Sequence, residues 1–585
     1  MVLPRGTQLV HSMPHTRPPL SRCFVQPQIT ARSVQAIISA LLALAMVVIL
    51  CGCGGSGNST PALVAPTVDI FWAQRSKSFS GPSSALSLTI TVGDVPNLVS
   101  PATLTVNRNA STSAYSQTYA IPTTLRPGPV QVTALFYSAQ NGQGTLVGTA
   151  TSAAILTPQG ALTNSDGTFL GGIQTVGTVA NVAVDSGQSV NFGSSKQLSF
   201  TARDSSNNVL ALSPGSATWM TSGGHTTSTN DGIATGLFVG TDTAQVTVDN
   251  IQSPVASIAV TLAATSNFLL VNQTVSALVY NQADGKLYGA VPSTAASNPN
   301  SVVSIDPMTG AIINIVQVGS NPSTLALSDD GSMLYVGLSG ASSIQPISLP
   351  TMATQPAIDL GSDSGGPFSA ACIAVVPGSA RTIVVSLTYT TGNPSQTIEV
   401  IDNGVVRPNT LNTFAPGKNI LTFKPSSSTV VVSSTFGGLV CSVDANGIQQ
   451  TGSFPGLQSG VPISDVGGKI FTQYGQVFDD TSGALLGTLP TNSGSSWSWR
   501  ATSSGNGQAY LLGSPYVQQM LYRVVSTSTY SQIGTAALPV TQISSLDAVA
   551  AIGASRLAIA MTDYQSQGVL VIVKDTSVGL TITSP

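Results

Sequence analysis

The chain has 585 residues, and at the usual domain size this length predicts three or four domains. Only 7% of its residues are charged, against about 25% in a typical soluble domain, and Glu399 is the single glutamate. This composition excludes the charged faces of surface helices and any basic stripe for nucleic acid, so we expect an all-β protein with no nucleic-acid partner.

The first 52 residues have the layout of a secretory signal peptide. Arginines precede an apolar stretch, residues 36–50, which contains no charge and is shorter than the roughly 20 residues of a membrane-spanning helix. A positive start, a short apolar middle and small residues before a cleavage site are the three parts of such a signal. The segment before residue 36 is long for this purpose, which leaves both Met1 and Met13 open as the start of translation. Without the four arginines of this leader, 16 basic residues face 23 acidic ones, a net charge of −7.

Cys53 stands in a sequence that resembles the lipobox of bacterial lipoproteins. In a lipobox a branched apolar residue lies three positions before the cysteine and a small residue lies directly before it. Leu50 and Gly52 occupy these positions for Cys53, whereas Cys51 would directly follow the bulky Leu50. The resemblance implies cleavage before Cys53, a diacylglycerol on its sulfur and an acyl chain on its amino group. An uncleaved membrane helix, with both cysteines as bystanders, is the alternative.

Lipidation at Cys53 implies where the protein works. Two or three acyl chains hold a protein stably on a membrane, since each buried methylene contributes about 0.8 kcal/mol. We therefore expect the membrane as a partner and the bacterial cell envelope, outside the cytosol, as the location. Gly54, rather than Asp, in the second mature position favours the outer membrane in a cell that has two membranes. Residues 53–65 are rich in Gly and Ser and predict a flexible tether.

Residues 66–175 predict a first β-sandwich of the immunoglobulin-like kind. Alternating stretches such as ALSLTITV and PVQVTALFYSA are separated by turn residues at intervals typical of a sandwich. Phe71 and Trp72 are adjacent in the sequence, as are Phe136 and Tyr137. Because successive strand residues face opposite ways, we expect one residue of each pair to enter the core.

Residues 176–264 contain the motifs of a second sandwich. A strand QLSFTARD is followed by a tryptophan strand, ATWMTS, and by the hairpin segment GLFVGTDTAQVTV. This order resembles the bacterial immunoglobulin-like (Big) domains, which implies that Trp219 is the core tryptophan and Gly240 the hairpin glycine. Members of that family are spacers or adhesion modules on cell surfaces, and the resemblance brings no catalytic residue with it.

Residues 265–585 contain an internal repeat. An apolar strand that ends in Asp, with Gly a few residues later, occurs five times, and two further strands end in Ser at corresponding places. The seven strand ends are Asp306, Ser348, Asp402, Asp444, Asp479, Ser526 and Asp575. Their spacing averages about 45 residues, which matches the roughly 40–50 residues of one four-stranded propeller blade. The repeat therefore predicts seven blades.

The segment PSTLALSDDGSMLYVGL, residues 322–338, resembles the YVTN-type repeats of seven-bladed β-propellers. Because a propeller must protect its edge strands, the first and last segments are expected to pair. Residues 267–273 (NFLLVNQ) and 579–585 (GLTITSP) both fit the outer strand of the last blade, and the sequence leaves this choice open. The expected fold is all-β, with two immunoglobulin-like β-sandwiches followed by a seven-bladed β-propeller at 265–585.

The acidic and aromatic residues of the repeat have an ordinary structural interpretation. An Asp followed by Gly is typical of a turn, because the carboxylate accepts backbone N–H groups and Gly adopts positive φ. Calcium needs six to eight oxygen ligands, and the pair Asp329 and Asp330 lacks the spacing that would supply them. Trp497 and Trp499, beside Arg500, are expected to pack between blades, with an aromatic binding platform as the alternative.

From the histidine and cysteine residues we expect no catalytic, cofactor-binding or metal-binding site. His225 is the only histidine after the leader, and we expect a solvated loop residue there, so zinc and copper have almost no ligands. Cys372 and Cys441 lie in apolar strands, where two buried thiols are favoured over a disulfide, although their pairing stays open. Cys53, as the lipidation site, is the one residue with an assigned function.

The predicted function is that of a monomeric surface lipoprotein whose propeller is a binding or scaffolding head for protein or polysaccharide. No cofactor is expected, and the residue types favour a non-catalytic protein, since propeller enzymes use histidines, metal ligands or axial acids. The alternative is a propeller enzyme, lactonase-like or another hydrolase or lyase, that uses axial Asp residues. A role in envelope protein assembly is a third interpretation and predicts a protein partner.

Overall fold

The computed structural model describes residues 62–580 except for short internal segments. Those segments are 76–81, 95–100, 111–112, 165–169, 171, 392–393, 414–419, 425, 435–436, 455, 458–462, 466–467, 473–474, 489–501, 504–506 and 514–519. The described residues form fifty β-strands, one 3-10 helix at Pro82–Ser84 and no α-helix, which confirms the all-β expectation. No helix among them is long and apolar enough to cross a membrane.

Nineteen strands form the N-terminal part of the described chain, residues 62–264. They are β1 (Thr67–Trp72), β2 (Ser87–Asp94), β3 (Ala102–Asn107), β4 (Tyr115–Ala120), β5 (Gly128–Tyr137), β6 (Leu146–Leu156), β7 (Leu162–Thr163), β8 (Ile173–Gln174), β9 (Asn181–Val184), β10 (Gln188–Asn191), β11 (Ser195–Gln197), β12 (Phe200–Arg203), β13 (Val209–Leu210), β14 (Ala217–Ser222), β15 (Thr226–Ser228), β16 (Ile233–Gly236), β17 (Gly240–Val248), β18 (Ile251–Gln252) and β19 (Ala256–Thr261).

The first core lies between two sheets of this part. One sheet has the order β3-β2-β5-β6-β7, and the other contains β4, β1 and β8. Strand β1 alternates half-buried and buried residues, as a strand with one face on a core must. Trp72 and Phe136 are fully buried and meet edge to face with their ring centroids 5.7 Å apart, whereas Phe71 and Tyr137 are only half-buried. This confirms that one residue of each aromatic pair enters the core.

A six-stranded sheet, here named the shared sheet, continues from this core into the next. Its order is β4-β1-β8-β13-β12-β9, so strands from both sides of residue 175 lie in one sheet. Strand β8 is parallel to β1 on one side and to β13 on the other. On β13, Val209 packs into the first core and Leu210 into the second, because neighbouring strand residues face opposite ways.

The second core is built around Trp219 on β14. The Trp219 side chain is buried, as predicted, and meets the Phe200 ring edge to face at 5.7 Å. Two further sheets enclose this core, with the orders β10-β19-β17-β14 and β11-β16-β15. Strand β10 is parallel to β19, about seventy residues later, so the segment is held together by contacts between distant parts of the sequence.

The remaining strands form seven sheets. The strands are β20 (Phe268–Val271), β21 (Ala277–Asn281), β22 (Lys286–Val291), β23 (Ser301–Ile305), β24 (Ile312–Gln317), β25 (Pro322–Leu327), β26 (Met333–Leu338), β27 (Ser343–Ser348), β28 (Ala353–Thr354), β29 (Ile358–Asp359), β30 (Ser362–Asp363), β31 (Gly366–Val375), β32 (Thr382–Tyr389), β33 (Pro394–Asp402), β34 (Val405–Val406), β35 (Leu411–Asn412), β36 (Ile420–Phe423), β37 (Thr429–Ser434), β38 (Gly437–Asp444), β39 (Gly447–Phe454), β40 (Ile463–Asp465), β41 (Lys469–Thr472), β42 (Gln476–Asp479), β43 (Leu485–Thr488), β44 (Thr502–Ser503), β45 (Gln508–Gly513), β46 (Leu521–Ser526), β47 (Gln532–Ala537), β48 (Ile543–Ile552), β49 (Arg556–Asp563) and β50 (Gly568–Val573).

Apart from β20 in the last one, each of these sheets is made of strands that follow one another in the chain. Sheet 1 contains β21–β24, sheet 2 β25–β29, sheet 3 β30–β35, sheet 4 β36–β39, sheet 5 β40–β43, sheet 6 β44–β47 and sheet 7 β48–β50 with β20. All the strand pairs within them are antiparallel. The seven strand ends of the sequence repeat fall one in each sheet, at the ends of β23, β27, β33, β38, β42, β46 and β50 or next to them.

Neighbouring sheets pack against each other in cyclic order. Apolar clusters join sheets 1 and 2, 2 and 3, 3 and 4, 4 and 5, 6 and 7, and 7 and 1. Between sheets 5 and 6, the Lys469 ammonium donates to the Thr527 carbonyl at 2.8 Å and lies 5.6 Å from the centre of the Tyr530 ring. Sheet 7 therefore leads back to sheet 1, and the seven sheets are here called the ring.

Strand β20 closes the ring. It pairs antiparallel with β50, with Phe268 opposite Val573, and so gives sheet 7 its outer strand. Asn267 accepts from the Asp575 amide through its side-chain oxygen at 2.8 Å and donates to the Asp575 carbonyl at 2.6 Å. Of the two candidates left open by the sequence, residues 267–273 thus supply the outer strand. Residues 581–585 lie outside the description.

Candidate functional site

Several residues singled out in the sequence lie outside the described residues. They are Cys51, Cys53, Trp497, Trp499 and Arg500. Lipidation at Cys53 and the packing of the two tryptophans therefore stay predictions.

The recurring aspartates of the ring accept hydrogen bonds from their own turns. Asp306 accepts from the Met308 amide at 2.7 Å, and Asp479 accepts from the Ser482 amide at 2.7 Å. These backbone donors favour the ionised carboxylates and lower the pKa of both groups. The Ser577 hydroxyl, at 2.6 Å, similarly lowers the pKa of Asp575. The turn interpretation of these residues agrees with the geometry.

Asp402 and Asp444 also serve local structure. Asp402 accepts from Arg407 at 2.9 Å, and this contact is the largest cause of its lowered pKa. Asp444 accepts from the Asn446 amide at 2.8 Å. Among the described residues, no three His, Cys, Asp or Glu side chains are grouped as metal ligands would be.

The Asp329–Asp330 turn links two sheets. Asp330 accepts from the Ser328 hydroxyl at 2.6 Å and from the Ser332 amide at 2.9 Å within its own turn. Asp329 accepts from the Gly378 amide of sheet 3 at 2.8 Å. One carboxylate thus shapes the turn of sheet 2, and the other ties that turn to the next sheet.

Cys372 and Cys441 are free thiols on neighbouring sheets. Cys441 is buried in the apolar cluster between sheets 3 and 4, and Cys372 packs against the same cluster. Burial raises the pKa of the Cys441 thiol to about 12 and raises that of Cys372 as well. Both therefore act as small apolar side chains at neutral pH, which is the favoured sequence interpretation.

His225 is not a solvated loop residue, and that expectation was wrong. Its Nδ1 lies 2.8 Å from Oδ1 of Asp242, a carboxylate that is only 1% exposed. The same carboxylate accepts from the His225 amide at 3.0 Å, and from the amide and hydroxyl of Thr226 at 2.7 Å each. Burial acts to raise the pKa of Asp242, but these hydrogen bonds outweigh it and the pKa lies below its ordinary value.

The backbone around this pair leaves no room for a side chain. Gly240 has a φ of 153°, and a Cβ there would lie 2.3 Å from Cδ2 of the His225 ring. Gly240 is therefore not the predicted hairpin glycine, because β16 and β17 belong to different sheets and do not pair. It is instead the first residue of β17, where the missing side chain leaves room for the His225 ring.

A cavity of about 320 Å³, here named the junction cavity, lies where the N-terminal part meets the ring. His225 and Val239 of the N-terminal part line it together with three segments of the ring: residues 270–272, 540–543 and 563–569. The Val239 amide donates to the Pro539 carbonyl at 2.9 Å, and the Phe192 and Phe268 rings meet edge to face at 5.9 Å. These contacts hold the two sides of the cavity together.

The polar lining of the junction cavity is made mostly of amides. Its polar side chains are His225, Asn272, Thr541, Gln542, Asp563, Gln565 and Gln567. Sequence reasoning missed this site because its residues come from five separate places in the chain. A signal was present, however, because Asp242 continues along β17 the alternation of the inward residues Ala244, Val246 and Val248, and a buried carboxylate needs a partner.

A second buried carboxylate, Asp185, lies where β5 contacts β12. Asp185 is 6% exposed and accepts from Gln131 of β5 at 3.0 Å and from the Thr201 hydroxyl at 2.7 Å. Burial raises its pKa, and these hydrogen bonds offset only part of the effect. Asp185 lines a cavity of about 490 Å³ that lies between residues 129–164 and residues 183–203.

Comparisons with known proteins show similarity at the level of structure only. No protein-family model and no curated protein sequence matches the chain. A structure of U3-55K is similar with a TM-score of 0.40 at 10% identity, and covers 52% of this chain and 98% of its own. The β-propeller domain of Cps50 (Swd1) from Myceliophteria thermophila has a TM-score of 0.39 at 12% identity, with the same two shares. These structural neighbours are β-propeller domains.

Proposed function

We propose that the protein is a surface lipoprotein of the bacterial cell envelope, anchored through Cys53, whose ring is a seven-bladed β-propeller that acts as a binding or scaffolding head. In this proposal residues 1–52 are the signal peptide and 53–65 the tether. Residues 66–175 and 176–264 are the immunoglobulin-like and Big-type spacers, and residues 265–585 are the head. Its ligand is a protein or a polysaccharide.

The observation that carries the proposal is the cyclic packing of the seven sheets, closed by β20 and β50. Each sheet is a four-stranded or slightly larger antiparallel unit, and each packs against the next. Closure of this kind pairs the first strand of the ring with the last one, leaves only short sheet edges, and gives a body whose loops can present a binding surface. The recurring carboxylates are engaged in turn hydrogen bonds, which is the use expected of them in a scaffold.

The shared sheet supports the role of the N-terminal part as a spacer. Two sandwiches that share strands hold a fixed relative orientation, and the Val239–Pro539 hydrogen bond continues the connection into the ring. A spacer of this kind holds the head at a distance from the membrane to which Cys53 would be attached.

The anchor is tested by metabolic labelling with a radioactive or clickable fatty acid in a bacterial host. Wild-type protein and Cys51→Ser should be labelled, whereas Cys53→Ser should lose the label completely. Cys51→Ser is the matched control, because it removes the neighbouring thiol two residues away. Equal labelling of the two variants would contradict the assignment of Cys53.

The binding head is tested by cross-linking and affinity capture of the full-length protein from native membranes. A specific protein or polysaccharide should be captured with wild type and lost with a variant that disrupts the ring, such as Leu570→Pro in β50. Recovery of the same partner with the disrupted ring would contradict the proposed head.

A further inference from the structure

We propose that the junction cavity binds a neutral, hydroxyl-rich ligand, that is, one or two sugar units of a saccharide. This inference rests on the proposed binding function and names the ligand class and the place where it binds. The cavity of about 320 Å³ lies near the lower end of the roughly 300–1,000 Å³ typical of small-ligand pockets.

The first support is the set of amide side chains. Asn272, Gln542, Gln565 and Gln567 line the cavity, and none of the four forms a side-chain hydrogen bond with any other described residue. Each amide offers two donors and an acceptor at the end of one planar group. A sugar hydroxyl also donates and accepts, so neighbouring hydroxyls match such amides more completely than a purely accepting or purely donating ligand does.

The second support is Asp563, which is held in place by its own hairpin. Its Oδ1 accepts from the backbone amides of Gln565 and Gln567 at 2.8 Å each. Oδ2 has no hydrogen-bond partner among the described residues and remains an acceptor for a hydroxyl of the ligand. The same two contacts fix the hairpin that carries two of the lining glutamines.

The third support is the orientation of His225. The ionised carboxylate of Asp242 accepts a hydrogen bond from Nδ1–H of His225 at 2.8 Å. This bond fixes the ring, whose side chain is 22% exposed where it lines the cavity, and leaves Nε2 for a ligand hydroxyl, which can both donate and accept. The buried pair thus presents one fixed polar atom to the ligand.

Charge selects against other ligand classes. His225 and Asp563 are the only titratable side chains in the lining, and no lysine or arginine is among the lining residues. A phosphate, a sulfated sugar or a uronic acid would bring a negative charge beside Asp563 without a cation to offset it. A neutral saccharide carries no such penalty.

Apolar surface is available for the carbon face of a sugar ring. Leu270, Val540 and Val569 line the cavity between the polar groups. Tyr564 lies between the lining residues Asp563 and Gln565 and is 76% exposed, the largest exposed fraction among the large apolar side chains described. An exposed tyrosine offers a rigid, amphipathic surface at low conformational cost.

Titration calorimetry and glycan-array binding with the full-length protein in detergent test this inference. The probes are maltohexaose, cellohexaose and tetra-N-acetylchitotetraose, with oligogalacturonate of matched length as the anionic probe. We expect at least one neutral probe to bind and oligogalacturonate to bind at least tenfold more weakly. Gln565→Ala and Gln567→Ala should each weaken neutral binding at least fivefold, and the double variant more strongly.

Gln449→Ala is the matched control, since Gln449 is an exposed glutamine on β39 of sheet 4 and does not line the cavity. His225→Ala is measured beside it, together with a melting curve, because loss of the Asp242 partner also affects folding. The glutamine variants keep the test decisive if His225→Ala does not fold.

Three results would overturn the inference: no binding of any neutral probe at millimolar concentration, binding that the glutamine variants leave unchanged, or tighter binding of oligogalacturonate. If a protein partner is captured from membranes and is indifferent to Gln565→Ala and Gln567→Ala, the saccharide site fails while the binding head stands. If Leu570→Pro leaves the captured partner unchanged but neutral saccharides bind the wild type, the captured partner does not bind the ring, while the cavity, which ring residues line, keeps its assignment as the saccharide site.

Discussion

The N-terminal part and the ring use the same residue types in opposite ways. In the N-terminal part, two-residue strands such as β8 and β13 pair in parallel across long stretches of sequence, and carboxylates are buried to hold distant segments together. In the ring, every sheet is antiparallel and, apart from the closing strand β20 of sheet 7, is built from consecutive strands, and the recurring carboxylates lie on turns of their own strands. Long-range contacts therefore depend on a few unique residues, whereas repeated local contacts spread stability over many similar ones.

The largest expected effect on stability comes from removing the buried tryptophan of the second core. Trp219→Ala should lower the free energy of unfolding of the N-terminal part by about 3–5 kcal/mol, since a large buried side chain is replaced by a cavity. Val432→Ala in the ring, which removes only two buried methyl groups, is the control and should cost less. Chemical denaturation followed by tryptophan fluorescence and circular dichroism measures both. Equal losses of unfolding free energy in the two variants would show that the two regions do not differ in this way.

Asp242→Asn should have the next largest effect. The amide replaces a buried carboxylate that accepts four hydrogen bonds and pairs with His225, which should cost about 2–3 kcal/mol at pH 7. The folded-state pKa of Asp242 is lowered below 3.8, so its stabilisation is present above that pH and is lost as the pH falls through the lower value. Unfolding curves of wild type and variant should therefore converge below about pH 3.8. A difference in unfolding free energy between wild type and Asp242→Asn that stays constant in acid would contradict the lowered pKa of Asp242.

Asp185→Asn should act in the opposite direction. Burial raises the folded-state pKa of Asp185 above 3.8, so the wild type loses stability as the pH rises through that raised value. The amide avoids the buried charge and keeps an acceptor for the Thr201 hydroxyl. The variant should match the wild type near pH 3 and melt at a higher temperature at pH 7. Scanning calorimetry at both pH values measures this, and a lower melting temperature at pH 7 would show that the charge itself is required.

Asp479→Ala should have the smallest effect. Asp479 is the half-buried last residue of β42, and the side-chain hydrogen bonds of its carboxylate to described residues are made with Thr481 and Ser482 of the following turn. The melting temperature should shift less than for Asp185→Asn, and circular dichroism of the ring should be unchanged. A large loss of stability from this surface turn would mean that the repeated carboxylates support more than their own sheet.

The same contrast explains what could be predicted from the sequence. The seven strand ends were recognisable because each sheet, apart from the closing strand β20, is continuous in the chain and repeats one strand-and-turn signal, as at Asp306 and Asp479. The shared sheet was not recognisable, because Ile173–Gln174 is too short to show alternation and its neighbours lie far away in the sequence. Trp219 was placed in the core because strand alternation and size both point inward. The pairing of His225 with Asp242 was missed because loop histidines are usually solvated, although the inward position of Asp242 signalled a buried partner.

The closing strand pair also imposes an order on biosynthesis. Asn267 and Asp575, which bond to each other at the closure, are 308 positions apart in the chain. At about 5–20 residues per second, roughly 15–60 seconds separate the synthesis of β20 from that of β50. Throughout that interval β20 has no partner strand, and the growing polypeptide carries an open edge able to pair with another molecule. A truncation before Gly568 would make this state permanent, so the addition of β50 is the step that converts an aggregation-prone intermediate into a closed ring.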